Sequence, residues 1–194
     1  MSRLDLFYPV RPHKVNQVWG VKRDIYHQFG FSVHNGIDLA LVRGQLIRSP
    51  FDCTVTKIGF ETGGSGNYIC LVSDNEYDWD DGKKAHVEVI FMHLRSTIAR
   101  VGDSLKAGDR AARGGNTGFS SGPHTHMACK RVVKVSGAFF TVDSNEANNT
   151  FDQQSYFNGI YASRAQPRRF GLPGLIGSLT KLSQLLKQRW DRKG

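Results

Sequence analysis

The sequence predicts a mainly β fold, an antiparallel two-sheet domain of the sandwich or open-barrel type that is followed by a C-terminal amphipathic helix. Glycine is abundant, at 21 of 194 residues against a typical ~7%, which indicates many tight turns. Short segments rich in β-branched and aromatic residues alternate with glycine or proline, as in all-β domains. The pattern changes to a helical spacing of leucines only near the C-terminal end.

Four segments have strand character, and turn residues bound most of them. Residues 74–84 (DNEYDWDDGKK) are acidic and polar, so we expect a solvated hairpin loop there. Their acids lack the spacing of an EF-hand calcium loop. Residues 142–160 are rich in Asn, Ser and Gln and predict irregular surface. The four predicted strands are residues 53–60, 67–73, 86–94 and 126–135.

Composition divides the chain into an N-terminal segment (residues 1–31), a main domain (residues 32–162) and a basic linker with an amphipathic helix (residues 163–194). The net charge is +9, and residues 164–194 supply +7 of it with eight basic residues against one acid. The main domain is therefore nearly balanced, and no nucleic-acid footprint over the whole surface is expected. The apolar stripe of the predicted helix consists of Leu175, Leu179, Leu182, Leu186 and Trp190.

Cysteine spacing and hydropathy exclude two classes of protein. Cys53, Cys70 and Cys129 form no CxxC pair, which argues against a cysteine zinc knuckle. We expect buried thiols, with a Cys53–Cys70 bridge left open. No apolar run is long enough for a membrane-spanning helix. The N-terminal stretch lacks the apolar centre of a signal peptide, so we expect synthesis in the cytoplasm without an export signal.

Two short motifs bring metal-binding side chains to one face. His34 and Asp38 are four residues apart in HNGID, and Gly36 between them disfavours a helix. On a strand, side chains four residues apart lie on the same face. His124 and His126 in HTH also share a face, and SSGP before them predicts a turn. Each motif is weak alone, because such spacings also arise by chance.

The combination of these motifs with a third histidine points to metal chemistry. His93 lies near the end of an apolar strand, in FMHL, where a lone histidine is more often a core residue. Two histidines and one carboxylate form a common catalytic zinc set, which His34, Asp38 and His126 fill. His93 and His124 are then available to move protons or to stabilise charge beside a Zn2+ ion. The chain thus holds the residues needed for metal-assisted amide hydrolysis.

Five motifs follow one another in the order HNGID, GNYICLVSD, FMHL, VGDSLKAGD and GGNTGFSSGPHTHM. Over about residues 32–130 they resemble the lysostaphin-like zinc metalloendopeptidases, which hydrolyse peptides of bacterial peptidoglycan. The resemblance implies a two-sheet antiparallel β core with a groove for the peptide and a Zn2+ cofactor. It also implies that the zinc ligands are His34, Asp38 and His126, and that the catalytic histidines are His93 and His124.

The resemblance predicts an endopeptidase that cuts stem-peptide or cross-bridge bonds of peptidoglycan. The alternatives are a non-enzymatic cell-wall-binding or virion-assembly module on the same fold, and nucleic-acid binding through the basic tail, which lacks a recognition motif. An enzyme without an export signal needs another route to the wall, so we predict a phage structural or lysis protein. The bond that is cut stays open, as does whether residues 1–31 cover the groove.

The predicted C-terminal helix has three interpretations. Its leucine face could dock on phage virion proteins, or pack on the chain's own domain. Its basic face could instead contact an anionic membrane surface through residues 174–192.

Overall fold

Antiparallel strand pairing dominates the computed structural model, which describes residues 2–142 and 149–161. The pairing follows from the short β-branched and aromatic segments, which favour a pleated, half-buried backbone. Two 3-10 helices, Asp24–Phe29 and Gln154–Tyr156, interrupt the strands. The strands are β1 (Leu6–Tyr8), β2 (Val15–Gln17), β3 (Ile37–Ala40), β4 (Leu46–Arg48), β5 (Cys53–Glu61), β6 (Gly66–Ser73), β7 (Tyr77–Asp78), β8 (Lys84–Thr97), β9 (Ser104–Leu105), β10 (Arg110–Gly114), β11 (His124–Val135), β12 (Ala138–Thr141) and β13 (Phe157–Tyr161).

The described strands form one eleven-stranded sheet and one two-stranded sheet. The main path of the large sheet runs β2-β3-β11-β8-β6-β5-β9, while β10 joins β4 to β8, β12 pairs with β11, and β7 pairs with β8. The centre of the sheet is therefore β11 beside β8. Their register places Met127 opposite Phe91, and the register of β11 with β3 places His126 opposite Asp38.

Alternation along β8 separates the core from the face that carries the site. Val87, Val89 and Phe91 have no exposed surface and belong to the main hydrophobic cluster. Glu88 and Ile90 lie between them in sequence, are half-buried, and face the other side of the sheet. The sequence HVEVIFMHL encodes this division, because apolar residues occupy every second position on the core side.

The predicted mainly β, antiparallel fold is confirmed, and all four predicted strands are present as β5, β6, β8 and β11. One loop prediction is wrong in part. Residues 74–84 contain β7, whose Tyr77 pairs opposite Ala85 of β8. Tyr77 is buried at 8% exposure, so this hairpin tip folds back onto the core instead of standing free in solvent.

The prediction of irregular surface across residues 142–160 is also wrong in part. Most of β13 lies inside that range, and β13 forms a parallel pair with β1 in which Phe157 lies opposite Leu6. The ring of Phe157 lies 5.3 Å from that of Tyr8. Pairing between segments so far apart in the chain leaves no period-two signal in a polar stretch.

The cysteines are free, buried thiols, so the open alternative of a Cys53–Cys70 bridge is excluded. Burial raises the pKa of Cys53 and of Cys70 to about 12, which keeps both thiols protonated and unreactive.

Within the part of the chain that the structure describes, no helix is long and apolar enough to cross a membrane. The predicted basic linker and helix (residues 163–194) lie outside the described residues, and the predicted domain boundaries stay predictions.

We expect Phe91→Ala to lower the free energy of unfolding by about 3–5 kcal/mol, because it opens a cavity at the centre of the core. Phe91 is fully buried, whereas Phe60 is 61% exposed and provides a matched control. Phe60→Ala should change stability by no more than about 0.5 kcal/mol. Urea unfolding of both variants measures the difference, and equal losses would contradict this description of the core.

Candidate metal centre and active site

Three side chains converge at the point where β3 meets β11. His126 Nδ1 lies 3.0 Å from Asp38 Oδ1 and 3.0 Å from His34 Nε2. His34 Nε2 lies 3.3 Å from Asp38 Oδ1. Cross-strand pairing brings Asp38 opposite His126, and His34 reaches them from the segment before β3. The cluster is enclosed, with His34 at 3% and His126 at 6% exposure.

Backbone contacts orient the two imidazoles of this cluster. His34 Nδ1 lies 2.9 Å from the carbonyl oxygen of Val18, which can only accept a hydrogen bond. His34 therefore carries a proton on Nδ1, and its Nε2 is the ring atom that faces Asp38 and His126. Gly36 passes close over His126: a Cβ there would lie 2.6 Å from His126 Nε2 and 2.4 Å from the carbonyl oxygen of Met127. Only glycine fits at position 36, because any Cβ there would overlap these atoms.

The donor atoms of the cluster fit a zinc ion. One atom from each of His34, Asp38 and His126 lies within 4.8 Å of the others. Tetrahedral zinc with bonds of ~2.0–2.2 Å separates its ligand atoms by roughly 3.3–3.6 Å. The separations of 3.0–3.3 Å found here are close to that range. Two imidazoles and one carboxylate also match the ligand types of catalytic zinc sites.

Protonation states at the cluster suit metal binding. Burial alone would raise the pKa of Asp38. Hydrogen bonds with His126 and His34 outweigh this effect and hold the pKa well below its usual range, so the carboxylate stays ionised. Burial lowers the pKa of His126, which favours the neutral imidazole near neutral pH. A metal ion requires an ionised carboxylate and neutral imidazoles, and Asp38 and His126 meet this requirement.

His93 and His124 stand next to the cluster. Their ring centroids are 4.7 Å apart, and the His93 ring is 6.4 Å from that of His126. His124 lies at the first position of β11, two residues before His126 and on the same face. His93 has a positive φ of 59°, which is uncommon for a residue with a side chain. The structure thus brings together all five residues that the sequence singles out.

The tautomers of these two histidines follow from their hydrogen bonds. His93 Nδ1 lies 2.9 Å from the carbonyl oxygen of Thr117, and His124 Nδ1 lies 2.9 Å from that of Gly122. Because carbonyl oxygens only accept, each Nδ1 carries a proton, and Nε2 is the ring nitrogen left for the site. His124 Nε2 lies 3.7 Å from Asp38 Oδ1, at the edge of the cluster. Burial lowers the pKa of His93 to about 4, so its ring is neutral at neutral pH.

A cleft of about 1000 Å³ opens over the five side chains. Residues within 23–31 form one wall of the cleft, called the N-terminal wall. A second wall (residues 118–121) precedes the HTH motif. The two walls meet where the rings of Phe29 and Phe119 contact edge to face, with centroids 5.2 Å apart.

Gln17 and Tyr26 are among the residues of the cleft that the sequence motifs do not indicate. The ring of Tyr26 stacks beside His34 with centroids 5.4 Å apart, and the Gln17 amide donates a hydrogen bond to the Tyr26 hydroxyl. Residues 1–30 show no regular period, so only the isolated aromatic residues there hinted at a role. His86, interpreted from the sequence as structural, lies away from the cleft lining, and its Nδ1 is 2.8 Å from the carbonyl oxygen of Ser73.

Comparison with known families resolves the class of the protein. The model of peptidase family M23 matches residues 32–136, which is more than half of the chain and includes all five histidine and aspartate residues of the site. The chain belongs to peptidase family M23. Membership confirms the lysostaphin-like resemblance, the metallopeptidase class and the zinc cofactor predicted from the sequence.

Individual M23 relatives agree with this assignment. An uncharacterized metalloprotease of Haemophilus influenzae is 36% identical over 93 residues, which is 48% of this chain and 18% of that protein. A glycyl-glycine endopeptidase of Staphylococcus capitis is 32% identical over 96 residues, 48% of this chain and 24% of that protein. The chain therefore spans only about a fifth to a quarter of these relatives' length.

A solved M23 structure supports the fold. The catalytic domain of lysostaphin from Staphylococcus simulans aligns with a TM-score of 0.55 at 23% identity, over 74% of this chain and 91% of that domain. At this identity the likeness concerns the fold. The family match and the shared fold together explain why the five site residues lie on the central strands and their connecting loops.

We expect Gly36→Ala to lower zinc affinity about 10- to 100-fold, because the added Cβ pushes against His126 and the backbone of Met127. Gly122→Ala is the control, since a Cβ there meets nothing within 4 Å. Competition with a chromophoric chelator measures both affinities. Equal affinities in the two variants would show that the close approach at Gly36 does not position His126.

Proposed function

We propose that this chain is a zinc-dependent endopeptidase that hydrolyses peptide bonds of bacterial peptidoglycan, in the stem peptide or in the cross-bridge. The observation that carries the proposal is the convergence of the His93 and His124 rings on a buried three-ligand cluster that lines the cleft. This arrangement contains a ligand set and two proton acceptors, which together suffice for amide hydrolysis.

In this proposal His34, Asp38 and His126 hold the ion. When bound, zinc would act as a Lewis acid that polarises the scissile carbonyl and makes the attacking water more acidic. The carboxylate of Asp38 offsets part of the charge of the ion. The Nδ1–H of His34, fixed by Val18, keeps the lone pair of the ring on the ligand side.

The two remaining histidines move protons. Water oxygen adds to the carbonyl carbon, and the Nε2 lone pair of His93 or His124 accepts the proton that leaves the water. When the C–N bond breaks, an imidazolium proton passes to the amine nitrogen, and the products are a carboxylate and an amine. The low pKa of His93 means that a proton accepted there is readily given up again. The second imidazole would donate to the developing oxyanion from Nε2 once that nitrogen carries a proton.

Peptidoglycan is proposed as the substrate because of the named relatives and because of the cleft. One relative is a glycyl-glycine endopeptidase and others are lysostaphins. The cleft is partly open and has a volume of about 1000 Å³, so it can admit a peptide segment. The position of the ligands does not select between stem-peptide and cross-bridge bonds.

We further propose that the enzyme reaches the wall as a phage structural or lysis protein. The support is the leucine stripe and the basic charge of residues 174–192, a pattern that suits docking on a partner surface. Docking of this segment on virion proteins, or its contact with a membrane surface, stays a prediction. Deleting residues 171–194 and measuring lysis, solubility and association with virion proteins tests it, and no change in any of them would contradict docking.

We expect His126→Ala to lose stoichiometric zinc, and His124→Ala to keep it, while both lose hydrolysis. His126 offers a ligand atom to the cluster, whereas His124 lies at its edge. Loss of a proton-transfer group should lower the rate about 10²- to 10⁴-fold. The measurements are zinc content and the release of new amines from purified peptidoglycan.

His86→Ala is the control for these two variants, because His86 lies outside the cleft lining. It should keep both zinc and activity. Full amine release by a folded, zinc-free His126→Ala protein would contradict the proposal. Zinc binding by the wild type without any amine release would favour the alternative of a wall-binding or assembly module.

We expect a chelator to abolish amine release and added Zn2+ to restore it, because Asp38 and the two imidazoles cannot polarise a carbonyl without the ion. The thermal midpoint should fall on chelation and recover on zinc addition, since an ion that binds only the folded state stabilises it. Activity that persists after removal of the metal, verified by elemental analysis, would contradict zinc dependence.

A further inference from the structure

The floor of the cleft continues beyond the metal cluster along β11. His126, Ala128 and Lys130 alternate onto the same face of this strand, and all three line the cleft. Ile90 of β8 lies opposite Ala128 and lines the cleft beside it. A peptide that leaves the cluster in this direction therefore crosses a short apolar stretch and then meets an ammonium group.

The spacing from the cluster to Lys130 matches a few residues of substrate. Four strand residues at ~3.3 Å each separate His126 from Lys130 by about 13 Å along the floor. An extended peptide rises by the same amount per residue, and the flexible lysine stem shortens the reach. Lys130 thus meets a substrate group located within about four residues of the scissile bond.

The ammonium of Lys130 is available for such a contact. Lys130 is half-buried, and the described residues, 2–142 and 149–161, provide no ion pair within 4.0 Å and no side-chain hydrogen bond to it. Glu88 lies opposite Lys130 on β8, where burial raises the pKa of its carboxyl group, and the two side chains form no ion pair within 4.0 Å. Pairing with a carboxylate is more favourable for a partly desolvated cation without a close partner than for a fully exposed cation.

We propose that Lys130 is a specificity-determining residue that binds a carboxylate of the substrate peptide, located within about four residues of the bond that is cut. The inference rests on the proposed peptidase function and narrows its substrate to peptides that carry a free carboxylate near the cleavage site. That carboxylate can belong to an acidic residue within the peptide or to the C-terminus of the peptide. An all-glycine or amidated peptide lacks this partner and binds less tightly.

Lys57 provides a matched control for Lys130. It lies on β5 of the same sheet, is exposed, and is absent from the cleft lining. Its ammonium lies 5.5 Å from the ring centroid of Tyr68. Lys57→Met and Lys130→Met make the same change of charge and volume, so a difference between them reports the position in the cleft and not the net charge.

The experiment compares three peptides that share one cleavable bond. The first peptide has an internal carboxylate and an amidated C-terminus. The second has a carboxamide in place of the internal carboxylate and also an amidated C-terminus. The third has the internal carboxamide and a free C-terminal carboxylate. Zinc-loaded wild type, Lys130→Met, Lys130→Arg and Lys57→Met are assayed for KM and kcat separately. The Kd of each peptide is measured in parallel in a His124→Ala background, where turnover does not interfere.

We expect the wild type to prefer a carboxylate peptide over the carboxamide peptide by about tenfold in kcat/KM and in Kd, as for one charge-assisted hydrogen bond. Lys130→Met should remove this preference through KM, while Lys130→Arg and Lys57→Met keep it. The peptide that the wild type prefers, with the internal or with the C-terminal carboxylate, identifies which carboxylate Lys130 binds. An unchanged preference in Lys130→Met, or none in the wild type, would overturn the inference.

The two proposals fail in different ways. If the wild type cuts none of the peptides and releases no amines from peptidoglycan, the peptidase function fails, while the Kd comparison still decides the role of Lys130. If the wild type cuts all three peptides equally well, the function stands and the inference fails. Thermal unfolding of Lys130→Met should match that of the wild type, because methionine fits beside Ile90 and Ala128.

Discussion

The pairing of β3 with β11 is the constraint on which the site depends. It sets Asp38 opposite His126 and brings His34 within reach of both. Because side chains alternate along a strand, a slip of one residue would turn His126 into the core and bring Met127, which is fully buried, into the cleft. The approach of Gly36 to His126 further restricts this register, since no other residue fits there. The hydrophobic core thus enforces the geometry of the polar cluster.

A second constraint acts within β8, where His93 has a positive φ of 59°. Such a conformation costs on the order of 1–3 kcal/mol for a residue other than glycine. Its backbone N–H donates to the carbonyl of Ser65 at 2.8 Å, and its Nδ1 bonds Thr117 at 2.9 Å. Thr117 is itself fixed, because its hydroxyl donates to the carbonyl of Leu94 at 2.8 Å. The strain is therefore balanced by bonds that also select the useful tautomer of His93.

The centre of the fold and the five clustered residues could be predicted from the sequence, whereas the walls of the cleft could not. Motifs such as HNGID and HTHM combine strand periodicity with ligand spacing, and both are local signals. Gln153 illustrates what local signals miss: it lies in a stretch that looks like polar surface, yet it is fully buried and donates to the carbonyl of Met127 at 2.6 Å. Tyr26 likewise gains its place beside His34 only through the tertiary fold. Irregular segments carry no period, and their contacts depend on strands distant in sequence.

The strands of the central sheet and the irregular segments around the cleft therefore contribute differently to the site. Asp38, His124 and His126 are on strands of the central sheet, where packing fixes them closely enough for metal chemistry. The walls, residues 23–31 and 118–121, belong to loops and a 3-10 helix, which tolerate sequence change more readily. A protein of this design can keep one hydrolytic centre while the surrounding surfaces change the peptide that it accepts. The choice of bond must therefore be sought in the walls and along the floor toward Lys130, and not in the ligands of the ion.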